Sequence, residues 1–170
     1  MRYIVQNSTI IDLDFIVWLY DEAIKYQKRN GFVGWESIDK NHLKREIENN
    51  LNYKIIQDEN IVCVFGVVFS DKLIWRDKDK GASIYIHRIT VNPNFKGQKQ
   101  FKKVLEWAKD YCTKNGLDSI RMDTWTENPA IIEFYKKYGF KVIEEFKTAD
   151  TKELPEQHRD LNVTLLEYRI

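Results

Sequence analysis

Near the start of the chain Tyr3 and Val5 alternate with their neighbours, and this period of two predicts a short strand. The period then lengthens. Asp12 or Asp14 opens a helix on which Phe15, Trp18, Leu19, Ala23 and Tyr26 share one face, until Gly31 and Gly34 interrupt it. After Ser37 and Asp39, Leu43 and Ile47 recur at helical spacing in a second, shorter helix that stops at Asn49-Asn50. Two β-rich runs follow, over 53–57 and 61–69, and Asp58-Glu59-Asn60 between them reads as a hairpin turn.

The stretch 71–81 is dense in charge and reads as a mobile connection, after which 82–91 is a strand that must stop at Asn92-Pro93. From about Gly97 the positions Phe101, Val104, Leu105, Ala108, Tyr111 and Cys112 follow a 3.6 period, with Gly116 as the stop of this long amphipathic helix. Ile120, Met122 and Thr124 make another strand, Asn128-Pro129 starts a helix with proline at its first position, and Gly139 ends it. Strands over 140–146 and 163–168 finish the chain. The element order β-α-α-β-β-β-α-β-α-β-β predicts an α/β (α+β) fold with a mixed sheet covered by helices, its second half alternating as parallel βαβ units do.

Composition narrows the function classes. The 170 residues suit one domain, expected over 1–170, and 43% hydrophobic residues with few Gly and Pro exclude disordered and collagen-like chains. Lys and Arg number 27 against 26 Asp and Glu, so no global field draws the chain to nucleic acid or to an anionic membrane. The longest apolar run, Ile61 to Phe69, is far short of the roughly 20 residues a bilayer span needs. The first residues lack a signal-peptide pattern, so a cytoplasmic protein is expected. Cys63 and Cys112 stand apart with no Cys or His at ligand spacing; they read as buried thiols, with no metal site.

Candidate chemistry gathers at two helix starts. The run Asn92-Pro93-Asn94-Phe95-Lys96-Gly97-Gln98-Lys99-Gln100-Phe101 joins a strand to a helix whose first N–H groups and positive dipole end suit an anion, and Lys96, Lys99, Lys102 and Lys103 add charge. A plain turn with a solvated lysine face is the other reading, and neither G-x-G-x-x-G nor G-x-x-x-x-G-K-[ST] occurs. At the second start Asn128 caps a helix carrying Tyr135, whose phenol is expected to project from the end of the sheet.

Taken together, Ile89-Thr90-Val91-Asn92-Pro93, Lys96-Gly97 and Asn128…Tyr135…Gly139-Phe140 resemble the GNAT superfamily of acyl-CoA-dependent N-acetyltransferases. The resemblance implies a mixed, mostly antiparallel central sheet splayed at a central parallel pair, with helices on both faces. It also implies a co-substrate, acetyl-CoA, and transfer of its acetyl group to a primary amine of a small molecule or peptide by direct attack, with no metal. The backbone of Ile89 and Val91 would pair with the pantetheine arm like an added strand. The turn of Lys96, Gly97, Gln98, Lys99, Phe101 and Lys102 would hold the pyrophosphate, Asn128 would contact the CoA arm, and Tyr135 would protonate the departing thiolate. The sequence departs from the family pattern in that turn: Lys96 replaces Arg or Gln, Lys99 a glycine, and Phe101 a Gly or Ala, so that Phe101 must turn into the core to leave the pyrophosphate its room.

The acceptor amine must lose a proton, and His87, two residues before Ile89 on what alternation makes the same strand face, is the first choice of base. A histidine hydrogen-bonded inside the sheet is the plainer reading. Trp35 and Glu36, in the Gly31-to-Glu36 loop, are candidates for the acceptor side; Trp18 and Tyr26 mix core packing with a cleft wall, and His158 is a candidate from the late loop. Asp123 either binds the amine or pairs with Arg88 or Arg121. A non-catalytic acyl-CoA-binding or regulatory domain with a degenerate turn is the second function class. An interaction module using the lysine patch on an acidic partner is the third, disfavoured by the near-zero charge. The late, aromatic-rich strands could pair across a two-fold axis into a homodimer.

Overall fold

The computed structural model describes residues 2–154 and 159–170. The strands are β1 (Tyr3–Asn7), β2 (Asn52–Gln57), β3 (Asn60–Val68), β4 (Ser83–Val91), β5 (Ser119–Trp125), β6 (Lys141–Lys147) and β7 (Asn162–Arg169). The helices are α1 (Leu13–Arg29), α2 (Lys40–Glu48), α3 (Lys72–Trp75), α4 (Gln100–Asn115) and α5 (Pro129–Lys137). Among the described residues seven strands form a mixed, mostly antiparallel sheet in the order β1-β2-β3-β4-β5-β7-β6. Its parallel pair is β4 and β5, with Ser83 opposite Ser119 and Tyr85 opposite Arg121. No helix among the described residues is long and apolar enough to cross a membrane.

The chain divides into two compact units. The first comprises residues 2–31, 35–67 and 86–107, the second 32–34, 68–85 and 108–170. In the first, β1, β2 and β3 form an antiparallel meander. Asp58 (φ 47°) and Glu59 (φ 64°) are both left-handed, which is what a two-residue hairpin loop of right-twisted strands requires. Asp39 caps α2 by accepting from the N–H groups of Asn41 and His42 at 2.9 and 3.0 Å. The core of this unit is Leu13, Ile16, Leu19 and Tyr20 of α1 with Leu43 and Ile47 of α2 against Val64 of β3.

This corrects the expected face of α1. Leu19 is buried, but Phe15, Trp18 and Tyr26 are exposed by 37%, 40% and 40%. Two apolar stripes lie on that helix, and the aliphatic one packs on the sheet while the Phe15 and Trp18 rings meet each other at 5.3 Å, tilted by 33°.

In the second unit the segment 71–81 is not a loose connection. It contains α3, and Ile74 (3% exposed) and Trp75 (0%) join Tyr85, Leu154 and Leu165 in a core. Asp79 accepts from the Ser70 hydroxyl at 2.7 Å and from the Asp71 N–H at 2.8 Å, while Arg121 of β5 donates to the Lys78 carbonyl at 2.7 Å and to Glu167 at 2.8 Å. Glu144 of β6 pairs with Arg76 at 2.7 Å and Lys78 at 2.6 Å. The charges that suggest solvation in the sequence are the ties that fasten this segment to β5, β6 and β7.

Candidate functional site

The first unit carries the strand-turn-helix connection. β4 ends as expected: the Asn92 side chain accepts from the Asn94 N–H at 3.1 Å and donates to the Ile61 carbonyl at 2.8 Å, and Pro93–Phe95 make one 3₁₀ turn. Gly97 follows at φ 80° and Lys99 at φ 56°, both left-handed, before α4 begins at Gln100. Gly97 adopts that conformation freely; Lys99 does so against the steric preference of an L side chain, at the position where the family resemblance has glycine. Lys96, Gly97, Gln98, Lys99 and Lys102 are exposed, so the start of α4 is an open, cationic helix N-terminus suited to a pyrophosphate. Phe101 is 6% exposed and joins Val104, Leu105 and Ala108 on the buried face, which leaves the turn clear of its ring.

The lysines are not equivalent. Lys103 is held by Gln57 at 2.6 Å and Gln100 at 2.9 Å, and Lys102 stands 3.7 Å from Glu106. Lys96 lies with its ammonium 3.8 Å over the ring of Tyr26 of α1, a contact that presets the cation. Gln98, Lys99 and Lys102 border a pocket of about 550 Å³ with Tyr3, Gln57, Lys103 and Glu106. Trp35 is half-buried, edge-on to Tyr20 at 5.9 Å, and Glu36 is exposed.

Upstream, His87, Ile89 and Val91 of β4 are half-buried, and Arg88 between the first two is left-handed at φ 50°. β4 continues through Arg88, but its left-handed backbone departs from regular extended geometry, so period two alone does not fix how His87 and Ile89 face. Sequence carries no mark of this: Arg is an ordinary strand residue.

In the second unit Asn128 caps α5, its side chain accepting from the Ile131 N–H at 3.4 Å, with Pro129 at the first helical position. Tyr135 is 8% exposed and its ring packs against Phe134 and Phe140 at 5.5 and 6.1 Å, so the phenol does not stand clear of the fold as expected. Asp123 lies on β5. Arg121 engages Glu167 and Arg88 engages Glu46, and the Asp123 carboxyl is pushed up to about 7 by burial and then by the negative charge of Asp71. Asp71 is itself raised to about 6, chiefly by burial, and the two carboxylates approach within 4.8 Å. Asp71 was hidden from sequence reading inside a charged segment; the apolar Ile74-Trp75 pair beside it was the signal that the segment is anchored. His158 lies outside the described residues.

Similar proteins share this frame. The acetyltransferase of the GNAT family from Listeria monocytogenes 4b F2365 matches with a TM-score of 0.79 at 17% identity, covering 99% of this chain and 95% of that one. The yncA acetyltransferase of Salmonella typhimurium, described with its cofactor acetyl-CoA, matches with a TM-score of 0.68 at 15% identity over 99% and 94% of the two chains. These are likenesses of fold. In sequence, the uncharacterized N-acetyltransferase YesJ of Bacillus subtilis is 26% identical over 147 residues, covering 82% of this chain and 79% of that protein. Glucosamine 6-phosphate N-acetyltransferase of Arabidopsis thaliana is 26% identical over 130 residues, 66% of this chain and 82% of its own. The pattern of the acetyltransferase (GNAT) family runs from residue 19 to residue 140, through both helix starts and the strands that lead to them, and the chain belongs to that family.

Proposed function

We propose that this chain, acting as one domain over 1–170, transfers an acetyl group from acetyl-CoA to a primary amine of a small molecule or peptide by direct attack. The observation that carries this reading is the open turn of Gly97 and Lys99 at the head of α4, flanked by Lys96 and Lys102 and cleared by the burial of Phe101. In this reading the turn holds the pyrophosphate, the backbone of Ile89 and Val91 receives the pantetheine arm, and Asn128 contacts it.

His87 takes the proton of the acceptor's ammonium, directly or through water, and the amine nitrogen then forms its bond to the thioester carbon. A strand N–H near Ile89 steadies the oxyanion. As the C–S bond breaks, Tyr135 gives its phenolic proton to the thiolate; an ordinary phenol, with pKa about 10, is well matched to that task. Asp123 and Asp71 supply carboxylate acceptors for an amine's N–H groups, and Trp35 and Glu36 belong to the acceptor side.

Calorimetric titration with acetyl-CoA, followed by free-thiol detection across an amine panel, tests the proposal. Binding with amine-dependent thiol release is the expected result. Binding without release for any amine favours a non-catalytic acyl-CoA-binding domain, and no binding at millimolar acetyl-CoA overturns both.

A further inference from the structure

The exposed aromatic residues of α1 have different partners. Phe15 and Trp18 meet each other, whereas Tyr26, on the last turn of the helix, lies under the ammonium of Lys96, 3.8 Å from the ring centroid. The two residues are far apart in the chain and belong to the same compact unit. Tyr26 is fixed from its own side: its carbonyl accepts from the Asn30 N–H at 3.2 Å and from the Asn30 side-chain amide at 2.8 Å, which closes the C-terminal end of α1. The rest of that turn is Gln27, Lys28 and Arg29, which offer a cation no opposite charge. The contact therefore draws on the ring face and not on an ion pair. Lys96 in turn follows directly on the 3₁₀ turn Pro93–Phe95 and precedes the left-handed Gly97.

The lysines that follow are engaged differently. Lys102 stands 3.7 Å from the Glu106 carboxylate, which offsets its charge, and Lys103 donates to the side-chain oxygens of Gln57 and Gln100 at 2.6 and 2.9 Å. An aromatic face holds an ammonium without neutralising it, because the ring quadrupole attracts the cation but carries no net charge. A lysine stem is long and flexible, and fixing it costs entropy that an arriving anion must otherwise meet. Lys96 keeps its full positive charge with that cost already met by the fold.

We propose that Tyr26 is a positioning residue for acetyl-CoA: its ring face holds the Lys96 ammonium in place ahead of the pyrophosphate, so that α1, and not only the connection from β4 to α4, sets the affinity for the co-substrate. This role rests on the reading of the turn as the pyrophosphate site.

Tyr26→Leu removes the ring face and Tyr26→Phe keeps it. Tyr26 is 40% exposed, so both proteins should melt close to the parent. In calorimetry with acetyl-CoA the affinity of Tyr26→Leu should fall roughly three- to tenfold, within the range of a single cation–π contact, while Tyr26→Phe stays within twofold of the parent. Because the ring acts through Lys96, Tyr26→Leu should cause no further loss in a Lys96→Met background. Equal losses in the two backgrounds would make Tyr26 a structural residue, and a Tyr26→Phe protein as weak as Tyr26→Leu would give the effect to the hydroxyl; either result overturns the role. So does a Tyr26→Leu protein that binds acetyl-CoA as tightly as the parent, an outcome that leaves the acetyl-CoA reading standing. A parent that binds no acetyl-CoA overturns that reading and the role of Tyr26 with it.

Discussion

Three side chains carry separable parts of the proposed chemistry. Tyr135→Phe deletes one proton and little else, so kcat should fall by about 10²–10⁴-fold with acetyl-CoA affinity unchanged in calorimetry. A change within twofold would make Tyr135 a packing residue, as its contacts with Phe134 and Phe140 allow. Lys99 holds a left-handed backbone at φ 56°, and relieving it with glycine should raise Tm by about 2–4 °C, the shift that roughly 1 kcal/mol gives at this size. The same Lys99→Gly change removes a cation from the turn and should weaken acetyl-CoA, so stability and affinity move in opposite directions. Asp123 titrates near 7 in the folded chain against an ordinary value near 4. Between those values the folded state keeps a proton that the unfolded chain has lost, so this group's contribution to stability declines as pH rises from about 4 to about 7. Asp123→Asn abolishes that decline, and its Tm advantage over the parent should be larger at pH 8 than at pH 5 in paired melts. Equal differences at the two pH values would place the Asp123 pKa outside that window.

At the scale of elements the sequence reads well where one force decides. The buried faces of α2 and α4, the caps at Asp39 and Asn128, and the stop at Asn92-Pro93 follow from periodicity and local hydrogen bonding alone. Reading fails where two forces compete. On α1 two apolar stripes exist and only tertiary packing selects Leu13, Ile16 and Tyr20 over Phe15 and Trp18. In the segment 71–81 the charges outweigh the apolar pair in composition, yet Ile74 and Trp75 anchor it. Trp75→Ala should therefore cost about 3–5 kcal/mol in denaturant unfolding, as a large buried aromatic does. A loss under 1 kcal/mol would return the segment to the status of a loose connection. The left-handed backbone at Arg88 leaves no mark in the sequence for another reason: the residue's ion-pair partner, Glu46 of α2, is no neighbour in the chain.

For the whole chain, the expectation of inert thiols is met residue by residue. Cys63 and Cys112 are both fully buried, and burial pushes their thiols up to about 12 and about 11. Neither supplies thiolate at neutral pH. A colorimetric assay of CoA release therefore sees only product, because the folded protein contributes no signal of its own. The placement has a wider use, since Cys63 lies in the first compact unit and Cys112 in the second. Each is a built-in clock for the opening of its own surroundings, read by alkylation and peptide mass spectrometry under native conditions. With reagent limiting and reclosing fast, each rate follows the equilibrium of its opening. If residues 1–170 open as one cooperative domain, the two clocks keep the same time and slow together when acetyl-CoA is added; clocks that disagree would divide the molecule into halves that breathe on their own.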